Sequence, residues 1–387
     1  MKLFFSVGEP SGDQHAAALI HELQQRRPGI VATGFGGPAM QQAGCDLVYP
    51  LTDLAVIGFL RVIPMIGRFY RLVKQAEKIF RDSPPDAVIL VDFPGFNWWI
   101  ARKAHAAGIP VFYYLPPQLW AWASYRVKRM RRFVDHVLCG LPFEKDWYAQ
   151  RGIEAEYVGH PYFDELDKQA LDEDFLRTYR DRRGPVVAVL PGSRSQEVAL
   201  NWPVIQDVIE RLQSRHSDTL FLVANYRSSQ RRKCEAHFLA GPGRDCVEFH
   251  VGKTSEILEA ADCCLMVSGS VSLEVLARKT PTVAIYRSPR LVEFLAHRLV
   301  TCDYMSLPNL FAEEELLPEF PFSGSYADKI EPISDILDDW LTHPETLEAL
   351  VDRLDSLHQT VRLNGAIPRT ADAILRRLPA QSVLRAA

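Results

Sequence analysis

Short runs of wholly apolar residues, each followed by a turn and an amphipathic stretch, constrain this chain more than any other feature. In DAVILVDF (86–93) every position from Ala87 to Val91 is apolar. A strand with one wet face alternates apolar and polar residues. A continuous run belongs to a parallel strand covered by helices on both faces. KLFFSVG, IVATGFGG, PVFYYL and HVLCGL repeat the motif in the first half, and PVVAVLPG, TLFLVANY, CCLMVSG and PTVAIYR in the second. Between them lie helical stretches such as 13–27, where Ala16, Leu19, Ile20 and Leu23 share one face, and PFEKDWYAQRG, with proline at its start and glycine at its end. The polar, charged segment 161–184 shows no strand signal and separates the two series. The pattern predicts an α/β chain of two doubly wound domains facing each other across a cleft. The expected division is residues 1–165, a linker at 166–184, a second domain at 185–325, and a helical segment at 326–387.

A length of 387 residues suits two such cores better than one. The formal net charge of -4 argues against a dedicated nucleic-acid binder. Seven scattered cysteines form no C-x-x-C pair, which disfavours zinc and suggests a reducing compartment. The opening MKLFF is too short an apolar run for a signal peptide and reads as a first strand. No window approaches the length of a spanning helix.

In doubly wound sheets ligands meet the loops beyond the C-terminal strand ends. The first of these, SVGEPSGDQ, has the strand–turn–helix form that elsewhere cradles phosphate, yet carries Glu9 and Asp13. Asp92 ends a buried strand, where it suits a general base on a hydroxyl or a cap on its own turn. These acids point to a hydroxyl-rich ligand for the first half. GFGGPAM matches the dinucleotide pattern G-x-G-x-x-G/A, but follows the second strand and includes Pro38, so no nicotinamide or flavin is expected. LPGSRSQEV is the better anion loop. Gly192 allows close backbone approach, Ser193 donates, and Arg194 adds a fork suited to phosphate oxygens. A helix cap with a surface arginine fits the same residues. SGSVSLE, with Gly269, Ser270 and Glu274, repeats the design; Glu274 fits either a ribose diol or a helix-capping role.

The segment 54–74 mixes Val56, Ile57, Phe59, Leu60, Ile63, Met65, Ile66 and Phe69 with Arg61, Arg68, Arg71 and Lys74. That composition suits contact with anionic lipid and acyl chains. It equally suits an amphipathic core helix broken at Pro64. YRVKRMRR (125–132), beside WAW, is a second basic cluster, read as facing lipid phosphate rather than nucleic acid.

SVGEPSGD, FGGPAM, VDFPGFN, LWAW, LPFEKDWY, VGHP, LPGSR, SGSVSLE and YMSLPNL follow one another between residue 3 and about residue 365. In that order they resemble the lipid-A-disaccharide synthase family. The resemblance implies the GT-B fold: two Rossmann-like domains with C-terminal helices packing back across them. It implies an inverting glycosyltransferase that joins UDP-2,3-diacylglucosamine to 2,3-diacylglucosamine 1-phosphate (lipid X). The products would be a β-1,6-linked lipid A disaccharide 1-phosphate and UDP. It further implies a peripheral place on the cytoplasmic face of the inner membrane, and a homodimer with exchanged C-terminal segments. Glu9, Asp92, Arg194 and Asn309 fall on the family's critical positions, and Glu274 where related enzymes hold the uridine ribose. The chain departs from the family pattern at Gly95, which leaves Asp92 the only carboxylate of its loop. It departs again in Tyr-Leu-Pro-Pro-Gln-Leu-Trp-Ala-Trp (114–122), where the family's Tyr-Val-Ser-Pro-x-x-Trp-Ala-Trp carries a serine hydroxyl that the Pro116-Pro117 pair lacks. No D-x-D pair lies where a sugar-nucleotide metal would need one, so neither metal nor cofactor is expected. Two rival readings remain on sequence: a UDP-N-acetylglucosamine 2-epimerase-like enzyme of the same architecture, and a non-catalytic UDP-binding, membrane-associated protein.

Overall fold

The computed structural model describes residues 1–54, 65–238, 246–290 and 299–378. The chain divides into two compact units: Met1–Asp164 with Leu363–Ala387, and Glu165–Arg362.

The first unit runs β1 (Lys2–Val7), α1 (Pro10–Arg26), β2 (Val31–Gly36), α2 (Pro38–Gln42), β3 (Asp46–Pro50), α3 (Ile66–Asp82), β4 (Ala87–Val91), α4 (Pro94–Ala106), β5 (Val111–Tyr114), α5 (Val127–Phe133), β6 (His136–Cys139), α6 (Pro142–Ala149), β7 (Ala155–Tyr157) and α7 (Pro161–Lys168), the last of which ends in the second unit. Its strands pair in parallel in the order β3-β2-β1-β4-β5-β6-β7. Successive strand residues serve opposite cores. Phe4, Val88, Leu90, Val111 and Tyr113 meet α3, α4 and α5 on one side. Leu3, Phe5, Val7, Ile89 and Val91 meet α1 on the other. That is why these strands read as unbroken apolar runs.

The second unit runs α8 (Glu173–Arg180), β8 (Val186–Leu190), α9 (Ser195–Arg215), β9 (Leu220–Asn225), α10 (Ser228–Phe238), β10 (Val247–Val251), α11 (Thr254–Ala260), β11 (Cys263–Val267), α12 (Ser272–Arg278), β12 (Thr282–Ser288), α13 (Leu307–Ala312), β13 (Glu319–Ser323), α14 (Ala327–Thr342) and α15 (Pro344–Val361). Its parallel sheet is ordered β10-β9-β8-β11-β12-β13. The segment 166–184 therefore contains a helix, α8, whose Leu176 and Tyr179 are buried.

Residues after Arg362 return to the first unit as α16 (Ala366–Arg377). Its Ile367, Ala371 and Ile374 join the core under α1. Arg376 and Arg377 pair with Glu156, and Arg26 with Asp372. The Asp164 carboxylate accepts the N–H groups of Gly365 and Ile367 at 2.6 and 3.3 Å, capping the helix. Among the described residues no helix is long and apolar enough to cross a membrane.

Candidate functional site

Each sheet reverses its strand order once near the centre: between β1 and β4 in the first unit, and between β8 and β11 in the second. Such reversals open a crevice beyond the strand ends. The loops leaving them are Gly8-Glu9 and Asp92-Phe93 in one unit, and 191–194 and 268–271 in the other. Glu9, Asp92, Gly192, Ser193, Arg194, Gly269 and Ser270 stand on these four loops, whereas Asp13, Glu274 and Asn309 stand on helices.

In the first unit Val7 and Val91 are register partners, so Glu9 and Asp92 follow adjacent strand ends. Glu9 is the N-cap of α1 and half-buried. Asp92 is also half-buried, and its backbone is unusual: Asp92 has φ 43° and Phe93 φ 48°, two successive non-glycine residues in the left-handed region. Such residues cost energy and persist only where neighbours hold them. Here Asn97, wholly buried on the first turn of α4, donates to the carbonyls of Asp92 (2.7 Å), Ser6 (3.1 Å) and Val91 (3.2 Å). Its own amide oxygen accepts from the Ser6 hydroxyl at 2.7 Å. The Tyr113 hydroxyl donates to the same Asp92 carbonyl at 2.8 Å. Burial, and then the nearby Asp92 charge, hold the Tyr113 phenol well above its ordinary range, so it remains a donor. Ser6, Asn97 and Tyr113 were missed on sequence, although an asparagine between Phe96 and Trp98 on a buried helix face is a signal. A Cβ at Gly95 would meet nothing within 4 Å.

Asp13 sits differently from an open ligand-binding acid. It is 3% exposed, and its carboxylate accepts the N–H groups of Gly37 (2.8 Å), Ala39 (2.9 Å) and Met40 (3.2 Å). The glycine loop that imitates a dinucleotide motif thus spends its N–H groups on a carboxylate of its own unit. Glu144 is a further buried acid. It accepts from Trp120 Nε1 at 3.0 Å and from the Leu141 N–H at 3.1 Å, tying the LWAW loop to the start of α6. Burial raises its carboxyl to about 7.

In the second unit Gly192 has φ +105°, where only glycine is unstrained. Ser193 and Arg194 are exposed beyond β8, the arginine side chain at 77%. Glu197 reaches back to the Arg194 N–H (3.1 Å) and to its guanidinium (2.8 Å). Gln230, missed on sequence, holds the Ser193 carbonyl at 2.8 Å. Gly269 and Ser270 are exposed after β11. Glu274, one turn further, is buried, accepts from Ser255 and lies 3.4 Å from Arg278.

Asn309 does not reach any open face. It is wholly buried, donating to the Leu317 carbonyl (2.7 Å) and Glu319 (2.8 Å) and accepting from the N–H groups of Leu316 (3.0 Å) and Leu317 (2.7 Å). Those four bonds fill the amide's capacity. Glu319 also accepts from Met305 (2.6 Å) and Ser306 (2.7 Å), closing the YMSLPNL turn.

Of the apolar segment, Val56, Ile57, Phe59, Leu60 and Ile63 lie outside the described residues. Met65 and Phe69 pack partly buried against the core, Phe69 with its ring 5.6 Å from Phe96 and 6.4 Å from Phe93. Ile66 is exposed, as are Tyr70, Trp99, Trp122 and Tyr125. Helices α3, α4 and α5 lie side by side on one face of the sheet. Arg126 stacks 4.6 Å from the Trp122 ring. Among the described residues no group of three His, Cys, Asp or Glu side chains is placed to hold a metal ion.

A family model described as lipid-A-disaccharide synthetase matches residues 3–332. Lipid-A-disaccharide synthase from Azoarcus sp. (strain BH72) is 35% identical over 95% of this chain and 94% of its own length. That from Chromohalobacter salexigens is 33% identical, covering 97% and 96%. Among solved structures, UDP-GlcNAc 2-epimerase from Neisseria meningitidis bound to UDP-GlcNAc superimposes with a TM-score of 0.66 at 13% identity, covering 97% of this chain and all of the other. The Acinetobacter baumannii MurG structure gives 0.59 at 12% identity, covering 97% and 99%. At such identities the likeness shows the fold, two parallel α/β units of the GT-B type.

Proposed function

The chain belongs to the lipid-A-disaccharide synthase family and is a glycosyltransferase of lipid A biosynthesis; from that premise we propose that it joins UDP-2,3-diacylglucosamine to lipid X with inversion at the donor's anomeric carbon. The acceptor's 6-hydroxyl oxygen bonds to that carbon as the bond to the diphosphate oxygen breaks. Asp92 takes the hydroxyl proton and UDP carries away the electron pair. General-base assistance of this kind contributes about 10²–10⁴-fold. Glu9 orients a sugar by accepting its hydroxyls. Gly192, Ser193, Arg194 and the start of α9 hold the diphosphate and stabilise the charge that grows on it. Gly269, Ser270 and Glu274 serve the nucleoside. Asp13 and Asn309 act as positioning residues, because their polar atoms are committed to groups of the protein itself. Neither a metal nor a cofactor enters the scheme.

The observation that supports this most directly is the division of chemistry between the two switch points. One holds an aspartate in a costly backbone conformation, and the other presents an arginine at a glycine turn. The exposed Ile66, Tyr70, Trp99, Trp122 and Tyr125 with their neighbouring arginines support a peripheral seat on an anionic bilayer, at the cytoplasmic face of the inner membrane. A homodimer with exchanged C-terminal segments would supply α16 from the partner. The test is an assay of purified protein in detergent with both acylated substrates, following disaccharide and UDP together and omitting each substrate in turn. Both products should appear only with both lipids and without added metal. Consumption of UDP-N-acetylglucosamine alone, or UDP binding without disaccharide while an active family enzyme works alongside, would overturn the proposal.

A further inference from the structure

Asp92 and Phe93 follow a strand end in left-handed conformations that neither residue prefers, and the structure shows what holds them. Two donors converge on the Asp92 carbonyl oxygen: Asn97 Nδ2 at 2.7 Å and the Tyr113 hydroxyl at 2.8 Å. Asn97 is itself fixed by the Ser6 hydroxyl and by the carbonyls of Ser6 and Val91. The next residue is locked by a separate contact. The Phe93 ring lies over Gly8, so close that a Cβ there would come within 2.2 Å of it. Gly8 immediately precedes Glu9. One ring therefore couples the loop of one acid to the loop of the other. Both donors to the Asp92 carbonyl are wholly buried, so water does not replace a lost bond.

We infer that Asn97 and Tyr113 are positioning residues for the transfer reaction. By holding the Asp92 peptide in the left-handed region they aim its carboxylate, while Phe93 seated on Gly8 keeps the Glu9 loop in step. The inference rests on the proposal that Asp92 is the base. Neither Asn97 nor Tyr113 need touch substrate, since both act through a backbone carbonyl.

Tyr113→Phe tests it, because it removes one hydroxyl and keeps the ring in the core. Losing one buried hydrogen bond to the Asp92 carbonyl should lower kcat about tenfold. The KM values of both lipid substrates should stay within about twofold, because binding is not what the bond serves. The same substitution is then made in an Asp92→Asn background. A residue that acts through Asp92 has nothing left to aim there, so kcat should fall no further. A kcat unchanged by Tyr113→Phe would overturn the inference while Asp92→Asn still shows the base at work. A Tyr113→Phe loss that multiplies with that of Asp92→Asn would overturn it too, by placing Tyr113 on a separate route. Near-normal turnover by Asp92→Asn would remove the base reading and the inference together. If Tyr113→Phe does not fold, Asn97→Ser, which removes the other donor to the Asp92 carbonyl, goes through the same cycle under the same criteria.

Discussion

At the switch point of the first sheet the loops are acidic, half-buried and conformationally strained. At that of the second they are glycine- and serine-rich, exposed, and end in Arg194. The two sheets share parallel pairing and a single central reversal of order. What differs is how each crevice obtains its charge. In the first unit, side-chain amide and phenol groups hold a backbone turn so that a carboxylate stands at a strand end. In the second, a glycine turn leads into the start of a helix, with the Arg194 guanidinium anchored by Glu197. A crevice built from side chains depends on buried hydrogen bonds behind it, and one built from backbone depends on glycine.

Four measurements would break or sharpen that contrast. The largest effect is expected on the acidic side. Asp92→Asn should lower kcat by about 10³-fold with the melting temperature little changed, read as disaccharide formed at saturating substrate. On the basic side, Arg194→Ala should cost about 10²-fold in kcat, with partial recovery in Arg194→Lys, since a point charge restores part of what the planar fork supplies. Equal turnover of the alanine and parent proteins would show that the helix start alone carries the diphosphate.

Asn309→Ala is expected to act on stability. It leaves the N–H groups of Leu316 and Leu317 and one face of Glu319 without their partner, at a cost of about 2.5 kcal/mol in denaturant unfolding. A large fall in kcat without loss of stability would instead return Asn309 to the catalytic group.

The smallest effect is a pH dependence within the first unit. Glu144 is raised to about 7 by burial, above its ordinary 4.5. Between those values the folded state holds a proton that the unfolded state has released. Stability from this group is therefore full below about pH 4.5 and lost as pH rises to about 7. His160, desolvated and beside His15, is lowered to about 3, so its contribution runs the other way and is lost as pH falls below its ordinary 6.5. Comparing wild type with Glu144→Gln should isolate the first term. Their stability difference should shift by roughly 2 kcal/mol between pH 5 and pH 8, in the direction of wild type losing more as pH rises. A difference that stays constant with pH would mean that Glu144 titrates normally.

Periodicity and turn chemistry are local, and they carried most of the architecture: the paired βα series, the buried central strands and the loops that matter. Two edge strands, β3 and β13, escaped that reading. β3 ends in Pro50 and β13 contains Pro321, which a central strand would not tolerate and an edge strand can, since one side of its ladder is unpaired. Helix α8 was likewise hidden in polar sequence, because only Leu176 and Tyr179 of its face are buried. The motifs alone placed Glu9, Asp92 and Arg194 at strand ends. They did not show that Asp13 is spent on its own fold. Asp13 and Asn309 are as prominent in sequence as Asp92, yet the polar atoms of Asp13 bond backbone groups 24 to 27 residues away, and those of Asn309 bond backbone groups 7 to 8 residues away and the Glu319 carboxylate. Ser6 reaches Asn97 across 91 residues, and Tyr113 reaches Asp92 across 21. Whether a polar side chain is available for chemistry depends on which distant groups fold against it, and that information exists only once the chain has closed on itself.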